Sequence, residues 1–254
     1  MHGVVGVDAG ASHTVAAIAV GTAGAGTPEM QQAMAAALAG RFPGTRIVVT
    51  DDASIALRAA IPHGDGFLLI AGTGSIAFAE IQGVARRAGG YGYLLGDEGS
   101  GFAIGAAALA LMLRVFEGRA RREPMAAALA KRIDAQNPRD AIARIYQSPA
   151  PVAAIAACAP LVLEHAARGE PGARKIVQRA ALELFELLSG IAKGLEDDSL
   201  PLAFSGGLLR SNNLLTYLLE TRIANEFPNL CVVKSAAEPY LGALVRARGL
   251  LANA

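Results

Sequence analysis

Two adjacent carboxylates, Asp51 and Asp52, stand where an apolar run, Arg46 to Thr50, meets a helical pattern, Asp51 to Ala60. Functional side chains of α/β proteins commonly project at such strand ends. A lone Asp there is equally an N-cap, worth about 0.5–2 kcal/mol with no catalytic role. Two in succession let one cap while the other faces a crevice. Asp97, in Gly96-Asp97-Glu98-Gly99-Ser100-Gly101 ahead of another helix, reads either as a cap or as an acceptor for ligand hydroxyls. Two small-residue tips, Ala9-Gly10-Ala11-Ser12-His13 and Ala71-Gly72-Thr73-Gly74-Ser75, each lie between strand-like runs. Glycine permits positive φ and close approach, so successive backbone N–H groups can converge on one anion. A facing pair of such tips would clamp a polyphosphate, and Asp8 immediately precedes the first. The same residues are also ordinary hairpin formers.

Other phosphate motifs fit less well. Gly21-Thr22-Ala23-Gly24-Ala25-Gly26-Thr27 has P-loop glycine spacing but no lysine before the hydroxyl. Gly72-Thr73-Gly74-Ser75-Ile76-Ala77 matches the dinucleotide fingerprint, yet Ile76 to Glu80 alternates like a strand where that fingerprint demands a helix. Histidines 2, 13, 63 and 165 show no metal-ligand spacing, and no nucleophile elbow is present.

The elements that must position these residues alternate. Strands are expected at Val4–Asp8, Thr14–Val20, Arg46–Thr50, Phe67–Ile70, Ile76–Glu80, Leu202–Ser205 and Leu230–Val233. One helix is expected from a Thr27 cap to the residue before Gly40, then Asp51–Ala60, Phe102–Glu117, Met125–Asp134, Pro151–Arg168 kinked at Pro160, Ala173–Leu195, one from Ser211 and one from Pro239. Strand and helix alternation at both ends predicts α/β. At 254 residues the chain is one large domain or two modest ones. A formal charge of +1, with Arg119-Ala120-Arg121-Arg122 the densest basic run, argues against nucleic acid or an anionic membrane as partner. The 53% hydrophobic content rests mostly on alanine, and the longest uncharged stretch, Ala9 to Pro28, is broken by glycines, so no membrane span is expected. The amino terminus lacks a signal-peptide pattern, and Cys158 and Cys231 have neither disulfide nor metal spacing, which implies a reducing cytoplasm.

Taken in order, Gly6 to Thr14, Val49-Thr50-Asp51-Asp52-Ala53, Ile70 to Ser75, Gly89-Gly90-Tyr91-Gly92-Tyr93-Leu94-Leu95-Gly96-Asp97-Glu98-Gly99-Ser100 and Ser205-Gly206-Gly207 resemble the BadF/BadG/BcrA/BcrD-type ATPases of the sugar-kinase, actin and Hsp70 superfamily, within which N-acetylglucosamine and glucosamine kinases are the nearest likeness. The resemblance implies a two-lobed ribonuclease-H-like (actin-like ATPase) architecture with nucleotide and sugar in the cleft. It places residues 1–63 in a shortened first lobe and 64–254 in the second. It implies ATP and Mg²⁺, with Asp8 near the metal. Gly10, Ser12, Gly72, Thr73, Gly74, Gly206 and Gly207 are then nucleotide contacts, and Ser75, Gly90, Tyr91, Gly92 and Asp97 are sugar contacts. Asp52, the acid followed by Ala, matches the catalytic base that would activate a 6-hydroxyl. Homodimerisation suits the alanine-rich second lobe.

The chain departs from that family at several points. Ala9 and Ala11 stand where glycines are usual, His13 where a lysine is usual, and Tyr91 where a Trp is usual. A stretch that ordinarily completes the first sheet is missing, with Val20 joined directly to Gly21. Two other readings stay open: an activator ATPase of an acyl-CoA dehydratase or reductase system, and a non-catalytic sugar- or nucleotide-binding relative.

Overall fold

A computed structural model describes residues 4–9, 15–23, 25–195, 199–234 and 237–252. The fold is α/β, built on two sheets. In the first, β1 (Val4–Ala9) runs antiparallel to β2 (Val15–Gly21), and β3 (Arg46–Thr50) runs parallel to β2 on its other side. The second sheet has the order β6-β5-β4-β7-β8. Strands β4 (Gly66–Ala71), β5 (Ser75–Ile81) and β6 (Val84–Gly89) form an antiparallel meander, while β7 (Leu200–Ser205) and β8 (Leu230–Lys234) add on in parallel.

Helix α2 (Asp52–Ala60) lies between the sheets. Its Ala53, Leu57 and Ile61 side pack on Leu68, Phe78 and Ala203 of the second sheet. Its Ile55 meets Ala17 and Ala19 of β2, together with Ala243 and Ala247 of α10 (Pro239–Ala252). The last helix of the chain thus returns to the first sheet. Small residues make this approach possible: a Cβ on Gly242 would lie 1.9 Å from the Ile55 carbonyl oxygen. The outer face of the first sheet, Ile18, Val20 and Val49, is covered by α1 (Pro28–Arg41).

Period-two alternation sends Phe67, Leu69 and Ala71 to the opposite face of the second sheet. There they meet the large helical core, which includes α3 (Gly101–Phe116), α4 (Pro124–Arg132), α7 (Ala159–Ala167), α8 (Pro171–Ala192) and α9 (Leu214–Glu226). Helices α5 (Pro138–Tyr146) and α6 (Pro151–Ala156) complete that layer. Among the described residues no single helix is long and apolar enough to cross a membrane.

Several elements differ from expectation. The first helix continues through Gly40 to Arg41, because the Phe42 N–H closes it on the Leu38 carbonyl. The expected kink at Pro160 is a break: α6 ends at Ala156, and Pro160 sits in the first turn of α7, where its missing N–H costs nothing. Strand β6 follows a two-residue turn, Gln82-Gly83, with φ of 50° and 75°. Helix α5 starts from an Asn137 cap that accepts from the Asp140 N–H. The expected Ser211 start falls at Leu214, with Asn213 as the cap.

An ion cluster ties α2, β5 and α10 together. Glu80 receives the guanidinium of Arg58 at 2.9 Å and that of Arg246, which also donates to the Ser54 hydroxyl at 2.6 Å. Burial alone would push the Glu80 carboxyl up, but Arg246 and Arg58 outweigh it and hold it below its ordinary value of 4.5. Its contribution to stability is therefore complete above that ordinary value and is lost as pH falls through the lowered one. Glu80→Gln leaves two poorly solvated guanidinium groups facing a neutral amide, and should cost about 3 kcal/mol in urea unfolding near neutral pH. The variant should also lack the part of the wild-type acid transition that Glu80 contributes, visible as a smaller stability difference at low pH.

Candidate active site

Strand β3 ends at Thr50 and α2 begins at Asp52, so the two acids straddle a helix start. Asp51 is the cap: its Oδ1 accepts the Ser54 N–H at 2.6 Å. Burial pushes the Asp51 carboxyl above its ordinary value against the pull of the Ser54 N–H and the Arg87 guanidinium. Asp52, the first helical residue, is exposed, and its carboxylate accepts no hydrogen bond among the described residues. The cap is thus filled by one acid and the other is left unengaged.

Arg87 faces Asp51 from the second sheet, and sequence reasoning gave it no place. It donates from Nε to the Gly89 carbonyl at 3.2 Å and from Nη2 to the Gly90 carbonyl at 2.7 Å. Its guanidinium carbon lies 5.8 Å from the centre of the Tyr91 ring, a cation–π approach. The available signal was its place on an alternating strand just before Gly89-Gly90. Beyond Tyr91 the chain folds back at Gly92, whose carbonyl accepts from the Leu95 and Gly96 N–H groups at 3.1 and 2.9 Å. Tyr91 is 63% exposed beside this turn.

Ser75 and Asp97 are brought into direct contact. The Ser75 N–H donates to Asp97 Oδ1 at 3.2 Å, and the Ser75 hydroxyl donates to the Glu98 carbonyl at 2.7 Å. Asp97 does not cap α3: Ser100 does, through a 3.2 Å bond from the Ala103 N–H. Asp97 instead holds a φ of 60°, a left-handed conformation costing an L-residue about 1–2 kcal/mol. Gly74 must lack a side chain, since a Cβ there would lie 2.7 Å from Asp97 Oδ1. Gly90 packs over Ile76, the residue after Ser75, so the turn at 90–92 and the Ser75–Asp97 contact share one end of β5.

The hairpin tip at Gly72, Thr73 and Gly74 rests on the start of α3. The Gly101 N–H donates to the Gly72 carbonyl at 2.8 Å, and the Phe102 N–H to the Thr73 carbonyl at 3.1 Å. Strand β5 follows the tip, so the dinucleotide fingerprint does not apply. Beside it opens a crevice of about 490 Å³, lined by Gly72, Thr73, Gly101 and Gly207 and by alanines of α6. Gly206, at φ 88°, lies flat on β4: a Cβ there would meet the Ala71 carbonyl oxygen at 2.3 Å. Gly207 faces open space, with nothing within 4 Å of a Cβ.

The first hairpin forms as expected, β1 pairing antiparallel with β2. Gly10 and Ser12 lie outside the described residues. The strand registers, however, set Ala9 beside Val15 at one end of the first sheet, and Val4 beside Gly21 and Gly21 beside Thr50 at the other. Asp8 therefore belongs to the end opposite Asp51 and Asp52, separated by the length of β2, about 20 Å. The structure does not bring Asp8 to the start of α2.

The sequence profile of the BadF/BadG/BcrA/BcrD ATPase family matches residues 5–247. An N-acetylmuramic acid/N-acetylglucosamine kinase of Clostridium acetobutylicum is 28% identical over 235 residues, which is 91% of this chain and 77% of that protein. An N-acetyl-D-glucosamine kinase of Dictyostelium discoideum is 29% identical over 187 residues, 72% of this chain and 59% of that protein. A crystal structure from Chromobacterium violaceum, provisionally assigned as an N-acetylglucosamine kinase, is 27% identical with a TM-score of 0.64 and covers 96% of this chain and 98% of that one. The architecture is accordingly that of the actin-like ATPases.

The neighbouring glycines at the crevice differ in packing. Gly206→Ala should destabilise the fold by about 1–3 kcal/mol through its contact with β4. Gly207→Leu should leave the melting temperature unchanged, since nothing lies within 4 Å of a Cβ there.

Proposed function

Because the chain belongs to the BadF/BadG/BcrA/BcrD ATPase family, we propose that it transfers the terminal phosphoryl group of ATP to the 6-hydroxyl of an amino sugar, N-acetylglucosamine or glucosamine. The observation that carries this reading is the division of labour at α2, where Asp51 is consumed by the cap and Asp52 is left as an exposed, unengaged carboxylate. The names of the relatives support the amino sugar as acceptor class.

In this reading the nucleotide base occupies the crevice beside Gly206 and Gly207, and the tip at Gly72 to Gly74, anchored on the start of α3, receives the phosphates. Asp97 and Ser75, with the Gly90-Tyr91-Gly92 turn, hold the sugar hydroxyls. Asp52 orients the 6-hydroxyl and takes its proton as the bond to phosphorus forms. Phosphoryl transfer needs mainly positioning and charge stabilisation, which glycine loops and a helix terminus can supply. A divalent ion ordinarily accompanies ATP, and Asp8 was the residue expected to face it. Its place at the far end of the first sheet does not fit that role.

The lobes are the first sheet with residues 1–63 and α10, and the remainder of 64–254. A cytoplasmic homodimer completes the proposal on composition and family likeness. The pairing of β3 with β2, which sets Asp8 at the end of the sheet opposite Asp52, favours one second reading, a protein that binds nucleotide and sugar without transfer. Single-turnover assay with ATP and an amino-sugar panel separates the two. Asp52→Asn should lower transfer by about 10²-fold or more while ATP still binds. Near-normal turnover in that variant rejects the assignment of Asp52.

A further inference from the structure

The turn that carries Asp97 is held from beneath by α8. Gly99 is buried at φ 71°, and a Cβ there would lie 2.6 Å from the Ala180 carbonyl oxygen and 2.7 Å from Leu184 Cγ, so the turn backbone lies directly on that helix. Its N–H donates at 2.9 Å to Glu183 Oε2. The other oxygen of the same carboxylate accepts from Arg179 Nε at 2.6 Å, and Glu183 is only 20% exposed. A buried N–H deprived of its acceptor drives local rearrangement. Two residues upstream, Asp97 holds a left-handed conformation that an L-residue keeps only when its surroundings enforce it. Ser75 fixes the Asp97 carboxylate and the Glu98 carbonyl from above, and Glu183 fixes the Gly99 N–H from below.

We infer that Glu183 is a positioning residue for sugar binding: by accepting the Gly99 N–H it locks the 97–100 turn in the strained form that presents Asp97 to the cleft. The inference rests on the proposed sugar contact of Asp97. Glu183 bonds to the Asp97 turn at Gly99, whereas the hairpin tip bonds to Gly101 and Phe102, so the effect of Glu183 should fall on the sugar and not on the nucleotide. The agent is the acceptor oxygen and not the ion pair with Arg179, which is 67% exposed and screened by solvent.

A series of variants tests this by calorimetric binding of N-acetylglucosamine and of ATP to the full chain. Glu183→Ala should raise the sugar Kd about tenfold, equivalent to about 1.4 kcal/mol, with the ATP Kd within about twofold of wild type. Glu183→Asp, one methylene too short to reach Gly99, should behave likewise and serves if the alanine variant does not fold. Glu183→Gln keeps an acceptor oxygen and should restore the sugar Kd to within about threefold, and Arg179→Ala should do the same. A sugar Kd unaltered in both the alanine and aspartate variants, equal weakening of ATP, or failure of glutamine to rescue would overturn the inference. A wild-type chain that binds sugar but does not transfer phosphate defeats the kinase reading alone, and one that binds no sugar defeats both.

Discussion

A single carboxylate, Glu80, faced by two guanidinium groups from different helices, fixes the part of the molecule on which the site depends. Removing a carboxylate and two cations from water is expensive, and the cost is recovered only when all of them meet in good geometry. Arg58 completes its own set with the Ile61 and Gly64 carbonyls, and Arg246 adds the Ser54 hydroxyl. Helices α2 and α10 are consequently held against β5 as a pair, with Gly242 allowing their backbones to touch. Since α2 starts at the two acids, their placement opposite Arg87 and the turn at Gly90 follows from this cluster.

The second sheet supplies the complementary half. Its loops at 72–74, 90–92, 97–101 and 206–207 are interlocked through backbone contacts: tip on helix start, Ser75 on the Asp97 turn, Gly206 on Ala71. At the tight contacts Gly74, Gly99 and Gly206 leave no room for a side chain. Gly207, with nothing within 4 Å of a Cβ, leaves open room beside the tip. Strain at Asp97 is tolerated because three hydrogen bonds, two from Ser75 and one to Glu183, over-determine its turn.

Much of this was legible in the sequence because the signals were local. Alternation marked β4 and β5, and the Thr-Pro-Glu start marked α1. The doubled acid after a β-rich run anticipated one cap and one unengaged carboxylate, although only the structure shows that Asp51 is the cap. Asp97 could not be resolved between cap and ligand contact, since the choice turned on Ser100 taking the cap three residues later. Strand β6 was missed because its Arg86 and Arg87 look like a solvated segment, and with it went Arg87, whose importance comes from what lies across the cleft. Likewise, no local pattern reveals that α10 packs on a sheet more than two hundred residues earlier, or that Glu183 reaches Gly99.

The first sheet follows from a length constraint. Antiparallel neighbours need only a short connection, whereas parallel neighbours need a crossover of a dozen or more residues. Five residues, 10–14, separate β1 from β2, so β1 has no choice but to run back along β2. The long segment containing α1 lets β3 run parallel to β2 on the other edge. The carboxyl ends of β1 and β3 are thereby forced to opposite ends of one sheet. Closure of the lobes cannot bring them together, because it moves one sheet against the other and leaves the strands within each sheet fixed. Bringing those two ends together would require β3 to leave β2 and pair in parallel with the outer edge of β1, the hairpin itself unchanged. The second hairpin, the start of α3 and the start of α2 are instead held together by the second sheet and the Glu80 cluster.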